Sequence, residues 1–303
     1  MQSQMGTQRV REYQYEMNRA FGLMRRGAVQ RILLATDVSA GVDRALPFAI
    51  EIARRHGSTV YAMHVTGPDL YPFPPPSPWP MLDRDAAELR DKSKMRLDEE
   101  LAGVSHEIIF QAGETWETIS KFIEARKIDL LVFSAPGQNN ATATLFGSVT
   151  AEILRKAQCP ALTVGASVAG KPQQNAQLDR ILYATDFGTE SLAAAPYAVS
   201  LAEEHRAQLI VFHCIERRGD VSAMFHALRN LVPFGADLRC DPVCVVEHGA
   251  PSGKILEVAE GHAADLIVLG VHRERNSKEE GLMHPGVLRI ATEAKCPVLT
   301  VRA

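Results

Sequence analysis

The residues best suited to chemistry lie between Asp129 and Val164. Asp129-Leu-Leu-Val-Phe-Ser134 is a short apolar run, as a buried parallel strand would be, and it breaks at Ser134-Ala-Pro-Gly137, a turn sequence. Nine residues separate Gly137 from Gly147-Ser148, after which Val149, Ile153, Leu154 and Ala157 recur at helical spacing. The spacing predicts a strand, a glycine-bearing loop and a helix opening at Gly147-Ser148. The chemistry is anion binding. First-turn N–H groups point outward, and the helix dipole favours negative charge there. Glycines at 137 and 147 would let the backbone approach a ligand, and Ser148 would add a hydroxyl.

Composition narrows the function classes. The chain has 303 residues, 46% hydrophobic and 23% charged, which is room for about two domains with sound cores. A formal charge of −3 gives no electrostatic case for nucleic acid as the main partner. No apolar run approaches the ~20 residues that a membrane span needs. Residues 1–30 are polar and arginine-bearing and do not read as a signal peptide, so the expected location is cytoplasmic. Five cysteines, an odd count, fit free thiols better than a disulfide framework.

The elements that must position the anion site come from a duplication. Arg31-Ile-Leu-Leu-Ala-Thr-Asp37 aligns with Arg180-Ile-Leu-Tyr-Ala-Thr-Asp186. The match runs on without a gap through Pro47/Pro196, His56/His205 and His64/His213. Gly113/Gly249, Asp129/Asp265 and Cys159-Pro160/Cys296-Pro297 extend it. Each repeat alternates strands and helices, which predicts an α/β fold: two tandem, doubly wound, Rossmann-like sheets of five parallel strands, in the order 3-2-1-4-5. The expected layout is an N-terminal arm at 1–30, a first domain at 31–164, a linker at 165–178 and a second domain at 179–303. In the first repeat strands are expected near 31–36, 59–65, 104–110, 129–133 and 161–164. The switch point of such a sheet lies between its first and fourth strands. Asp37 follows the first strand and Ser134-Ala-Pro-Gly137 the fourth, so two separate sequence features meet at one crevice.

The spacing Ser134-x2-Gly137-x9-Gly147-Ser148 resembles the ATP-binding signature of the universal stress protein family, Gly-x2-Gly-x9-Gly-Ser/Thr, with Ser134 in place of the opening glycine. The Ala-Thr-Asp37 end of the first strand, His64-Val65 and the Cys-Pro-x-Leu-Thr-Val close of each repeat extend the resemblance over nearly all of 31–303. It implies ATP or a related adenine nucleotide as ligand, with Mg2+ as companion ion. It places Ala35, Asp37 and Val65 at the adenine end, and Ser134, Gly137, Gly147, Ser148 and Val149 around the phosphates. As residues alone, Asp37 also reads as a turn or helix-cap residue and Val65 as plain core.

Two other stretches carry motif-like sequence. Gly249-Ala-Pro-Ser-Gly253-Lys254-Ile255 imitates a phosphate-binding loop, but it is one residue short and has Ile where Ser or Thr must meet magnesium, so it reads as a strand-to-helix connection. The proline-rich run 67–80 is expected to be stiff, either a linker or a lid over the crevice. The signature contains no Lys or Arg, and phosphoryl transfer needs charge clamps, which favours binding over turnover. The expected function is therefore a stress-response regulator that binds a nucleotide. The alternatives are a slow ATPase or adenylyl-transfer enzyme and a scaffold that binds no nucleotide. Ala161–Val164 and Pro297–Val301 are apolar edge strands expected to pair the two repeats within the chain, with a further homodimer as an option. In the second repeat His284, Pro285 and Arg273 replace the signature residues, so only the first repeat is expected to keep a site.

Overall fold

The short apolar runs of the sequence become the strands of a single sheet. The computed structural model describes residues 29–36, 44–66, 80–135, 143–168, 178–215, 221–271 and 285–302. In the first repeat, strands β1 (Arg31–Ala35), β2 (Thr59–Thr66), β3 (Ser105–Ala112), β4 (Leu130–Ser134) and β5 (Ala161–Val164) are joined through helices α1 (Leu46–His56), α2 (Pro80–Glu100), α3 (Thr115–Arg126) and α4 (Ala143–Lys156). The second repeat supplies β6 (Arg180–Ala184), β7 (Gln208–Ile215), β8 (Val243–His248), β9 (Leu266–Gly270) and β10 (Val298–Val301). Its helices are α5 (Thr189–His205), α6 (Val221–Arg229), α7 (Pro251–Gly261) and α8 (Pro285–Glu293).

Within each repeat the strand order is the expected 3-2-1-4-5, and all pairings are parallel. The two edge strands expected to pair do so, and the two sheets are thereby joined. The order runs β3-β2-β1-β4-β5-β10-β9-β6-β7-β8, ten strands in one sheet. The join is antiparallel and sets Leu162 opposite Leu299 and Ala161 opposite Thr300. Both joining strands are buried along their whole length, so each removes the other's open edge from water.

Repeated residues do repeated work. Asp129 accepts the N–H groups of Gln30 and Arg31 at 3.1 and 2.8 Å, and Asp265 accepts those of Asp179 and Arg180, both at 3.1 Å. Each aspartate thereby fixes the entry of the first strand of its repeat against the fourth. His64 Nδ1 lies 3.0 Å from the Thr36 carbonyl, and His213 Nδ1 lies 2.9 Å from that of Thr185. These histidines tie the outgoing end of the first strand to the second. Gly57 and Arg206 close α1 and α5 in the left-handed conformation, where the glycine is unstrained and the arginine is not.

The cores follow the faces of the sheet. On one face a single apolar cluster runs through both repeats, from Phe48 and Ile52 of α1 to Ala198 and Val199 of α5. Val168 and Leu178, at the two ends of the expected linker, are buried in it. The opposite face carries two separate clusters, one centred on each repeat, and Ala291 of α8 belongs to the first repeat's cluster. There α8 reaches across the join: a Cβ on Gly165 would stand 2.9 Å from the Ala291 carbonyl oxygen. At the equivalent place Arg302 donates to the Leu154 carbonyl of α4.

The C-terminal ends of α1 and α5 meet in a polar cluster. Arg55 donates to the Glu204 carbonyl at 3.0 Å and to Glu51 at 3.1 Å. His56 Nε2 stands 3.1 Å from Glu204 Oε2, near enough for ion pairing but outside hydrogen-bond alignment. Burial raises the Glu204 carboxyl, contact with His56 outweighs it, and the net direction is down. His205, the repeat mate of His56, is buried with neither ring nitrogen hydrogen-bonded. Burial first, then the charge of Arg55, pushes it down from 6.5 to about 4, against smaller opposing contributions from Glu204 and Glu51.

The sign follows. Between about pH 6.5 and 4 the unfolded chain takes up a proton on His205 that the folded chain refuses, so stability is lost as pH falls through that window. Urea denaturation from pH 7 to 4 should show a His205-dependent loss of roughly 2–3 kcal/mol, which His205→Asn removes. Identical pH slopes for the two proteins would contradict it.

Candidate functional site

The crevice of the first repeat is built from strand ends. Ala35 closes β1 and pairs with Phe133 on one side and Met63 on the other. Ser134 is the next residue on β4, and Val65 lies two residues past Met63 on β2. Three of the expected residues, Ala35, Val65 and Ser134, thus sit at the carboxyl ends of the adjacent strands β2, β1 and β4. Ala35, Val65 and Val149 are all half-buried and pack on the same apolar cluster. Asp37 and Gly137 lie outside the described residues, as do 1–28 of the expected arm, residues 67–79 of the proline-rich run and 272–284 of the second-repeat loop.

Helix α4 starts earlier than the spacing predicts. It begins at Ala143, so Gly147 and Ser148 lie in its second turn rather than at its opening. Ala143-Thr-Leu-Phe146 contains good helix formers, and nothing in it stops the helix from extending toward the loop. In the i to i−4 pattern the Gly147 N–H is committed to the Ala143 carbonyl, and that of Ser148 to Thr144. The outward N–H groups of this helix belong to its first turn, from Ala143.

Ser134 has a partner that sequence spacing does not reveal. Its Oγ accepts the Ala45 N–H at 3.1 Å. Ala45 is the residue from which α1 springs, and its own side chain offers that helix no cap. Ser134 therefore acts as a cap from a neighbouring strand. Its repeat mate, Gly270, shows what the position does without a side chain. There α5 begins six residues earlier in the repeat, at Thr189, and its first turn lies on the glycine. A Cβ on Gly270 would stand 2.2 Å from the carbonyl carbon of Glu190 and 2.3 Å from Ser191 Cα. Any side chain bars that arrangement, and Ser134 has one.

The start of α5 is heavily bonded. Asp186 Oδ1 accepts the Gly188 N–H at 2.8 Å and the Ser191 hydroxyl at 2.6 Å. Thr185 Oγ1 accepts the Phe187 N–H, and Tyr183 donates to the Ser191 carbonyl at 2.6 Å. Burial pushes the Tyr183 phenol well above its ordinary range. Asp186 is thus a turn and cap residue here. Residue-level reasoning allows the same role at Asp37.

Spacing alone also misses the histidine-to-threonine ties described above, although the matched pair His64/His213 in the aligned repeats is a signal that could find them. The imitation phosphate loop is a strand-to-helix connection. Lys254 is held by Glu257 at 2.6 Å and by Glu247 at 3.3 Å, and the Glu257 hydrogen bond leads the rise in its pKa.

Comparison with known proteins agrees with this architecture. The model of the universal stress protein family matches residues 28–165 and 239–302. The chain belongs to the universal stress protein family. A universal stress protein of Methanocaldococcus jannaschii is 30% identical over 142 residues, covering 45% of this chain and 81% of the relative. The crystal structure of a universal stress protein from Archaeoglobus fulgidus superimposes with a TM-score of 0.72 at 19% identity, covering 90% of this chain and 96% of that one. A functionally unknown protein from Pseudomonas aeruginosa gives a TM-score of 0.61 at 18% identity, covering 91% and 93%. At those identities the likeness is one of fold. No helix among the described residues is long and apolar enough to cross a membrane.

The two equivalent positions should respond differently to small substitutions. Gly270→Ala drives a methyl into the α5 backbone and should cost about 2–4 kcal/mol. Ser134→Ala removes the hydrogen bond from the Ala45 N–H and should cost about 1 kcal/mol. Urea titrations showing equal small losses would contradict this account of the two helix starts.

Proposed function

We propose that the crevice of the first repeat binds ATP or a related adenine nucleotide and that the protein is a cytoplasmic, non-enzymatic regulator of a stress response. The observation that carries the reading is the meeting of Ala35, Val65 and Val149 on one apolar cluster at the carboxyl ends of β1 and β2, beside the start of α4. The apolar side suits a purine, and the first turn of α4 suits phosphate. In this reading Asp37 holds the adenine end, while Ser134, Gly137, Gly147 and Ser148 shape the phosphate end. Among the described residues no group of three His, Cys, Asp or Glu is placed to hold a metal ion, so Mg2+ would arrive on the phosphates of the nucleotide. No Lys or Arg lies between Ser134 and Ser148, which favours binding over phosphoryl transfer.

The second crevice supports a single site per chain. Glu190 and Ser191 rest on Gly270, and Asp186 is engaged by its own turn. Pro285 is the first residue of α8 and has no N–H to offer a phosphate. The bond from Ala45 to Ser134 favours one competing reading, a scaffold in which α1 fills its own crevice and no nucleotide enters.

Thermal-shift titration with ATP, ADP, AMP and cyclic AMP tests the proposal. A saturating stabilisation with about one nucleotide per chain by calorimetry is expected. Gly147→Glu should abolish it by setting a carboxylate against the phosphates, and Gly286→Glu should leave it intact. No saturating shift with any of the four favours the scaffold, and two equivalent sites per chain refute the asymmetry. Product formation under the same conditions would show an enzyme.

A further inference from the structure

We propose that the Thr36 hydroxyl is the sugar-recognising group of the first crevice, where it hydrogen-bonds the 2′- or 3′-hydroxyl of a bound ribonucleotide. This role rests on the nucleotide reading of the crevice and names the part of the ligand that Thr36 meets. Thr36 is only 7% exposed, and its Oγ1 is buried without a hydrogen-bond partner among the described residues. A hydroxyl left buried and unpaired is costly, and few native side chains are left so.

The second repeat shows the same threonine satisfied. Thr185 Oγ1 accepts the Phe187 N–H at 2.9 Å and lies 3.0 Å from Ser191 Oγ. The residue that aligns with Ser191 in the first repeat is Val42, which has no hydroxyl to offer. The main chain of Thr36 is nevertheless held like that of its mate. Its N–H donates to the Met63 carbonyl at 3.0 Å, and His64 Nδ1 lies 3.0 Å from its carbonyl oxygen. The first repeat thus keeps the threonine and its backbone ties but lacks the serine that engages the side chain. A fixed hydroxyl with unused hydrogen-bonding capacity is a preorganised contact, so a ligand pays little to order it.

The face on which Thr36 lies selects the part of the ligand. Along β1, Ile32 and Leu34 belong to the cluster on the α1 side of the sheet, and Leu33 and Ala35 to the cluster on the α4 side. Thr36 continues that alternation on the α1 side. Ser134 at the end of the adjacent β4 faces the same way, and its Oγ is engaged by the Ala45 N–H. Ala35, Val65 and Val149, which suit a purine, lie on the α4 side, as does the first turn of α4, which suits phosphate. In a ribonucleotide the base and the 5′-phosphate arm leave the sugar ring on one face, and the 2′- and 3′-hydroxyls leave it on the other. A nucleotide laid with base and phosphate along the α4 side therefore turns its sugar hydroxyls toward the α1 side, where Thr36 stands. A threonine hydroxyl both donates and accepts, as a sugar hydroxyl does.

Calorimetric titration of the full chain with ATP and AMP, each beside its 2′-deoxy and 3′-deoxy form, tests the contact. The wild type should bind the ribonucleotide about tenfold more tightly than at least one of the deoxy forms. Thr36→Val should bind the ribonucleotide about tenfold more weakly and no longer distinguish the deoxy form, and Thr36→Ser should keep the preference. Urea denaturation without ligand gives a second readout. Thr36→Val removes an unpaired hydroxyl and should leave the midpoint unchanged or raised, whereas Thr185→Val breaks existing hydrogen bonds and should lower it. A wild type that binds nucleotide, with a Thr36→Val variant that binds as well or keeps the preference for the ribose form, overturns this assignment alone. A midpoint lowered in Thr36→Val as much as in Thr185→Val also overturns it, since the hydroxyl then has its partner within the chain. A wild type that binds none of these nucleotides overturns the reading of the crevice, and the sugar contact falls with it.

Discussion

The antiparallel pairing of β5 with β10 governs this structure. Each repeat ends in a four-residue apolar strand that cannot remain an open edge in water. Pairing the two strands fixes a pseudo-two-fold axis at the centre of one ten-stranded sheet. The axis brings α1 against α5 on one face, where the apolar cluster is continuous and Arg55, His56 and Glu204 meet. On the other face it brings the carbonyls of α8 onto Gly165, and Arg302 onto α4. The repeats are thus bound by backbone pairing in the middle and by side chains above and below it.

Much of this was legible because it depends on periodicity and repetition. Strands expected at 31–36, 59–65 and 161–164 are found at Arg31–Ala35, Thr59–Thr66 and Ala161–Val164. Buried parallel strands are unbroken apolar runs, and the duplication supplied each of them twice. The Cys-Pro-x-Leu-Thr-Val endings showed which edges needed partners, though fusion into a single sheet became plain only with the register of Leu162 on Leu299.

The details of the candidate site were less legible because they depend on where helices begin. Helix starts are decided by a few hydrogen bonds, often from residues distant in sequence. Ser134 caps α1 from a strand 89 residues away. The start of α4 at Ala143 turns on the helix propensities of four residues beside a loop. A signature read as spacing assumes that its glycine opens the helix, and here the glycine lies a turn inside. Asp186 shows the same ambiguity from the other direction. An aspartate after a first strand can face a ligand or cap a helix, and its neighbour Ser191 decides for the cap.

Duplication gives the two crevices freedom to differ. The sheet, the aspartate staples and the histidine ties are needed in both repeats, and both keep them. The residue at the end of the fourth strand is not bound by that need, and it is Ser in one repeat and Gly in the other. The single side chain changes which part of the following helix can rest on the strand end. With glycine, α5 lies directly on β9 and its first turn is locked by Asp186, Thr185 and Tyr183. With serine, α1 starts later and is held through Ala45. The other end of α1 carries Arg55 and His56, which touch Glu204 of α5. One helix of about three turns therefore links the end of β4 to the contact between the repeats. A change at Ser134 or at Ala45 bears on a rigid element whose far end already belongs to the other repeat.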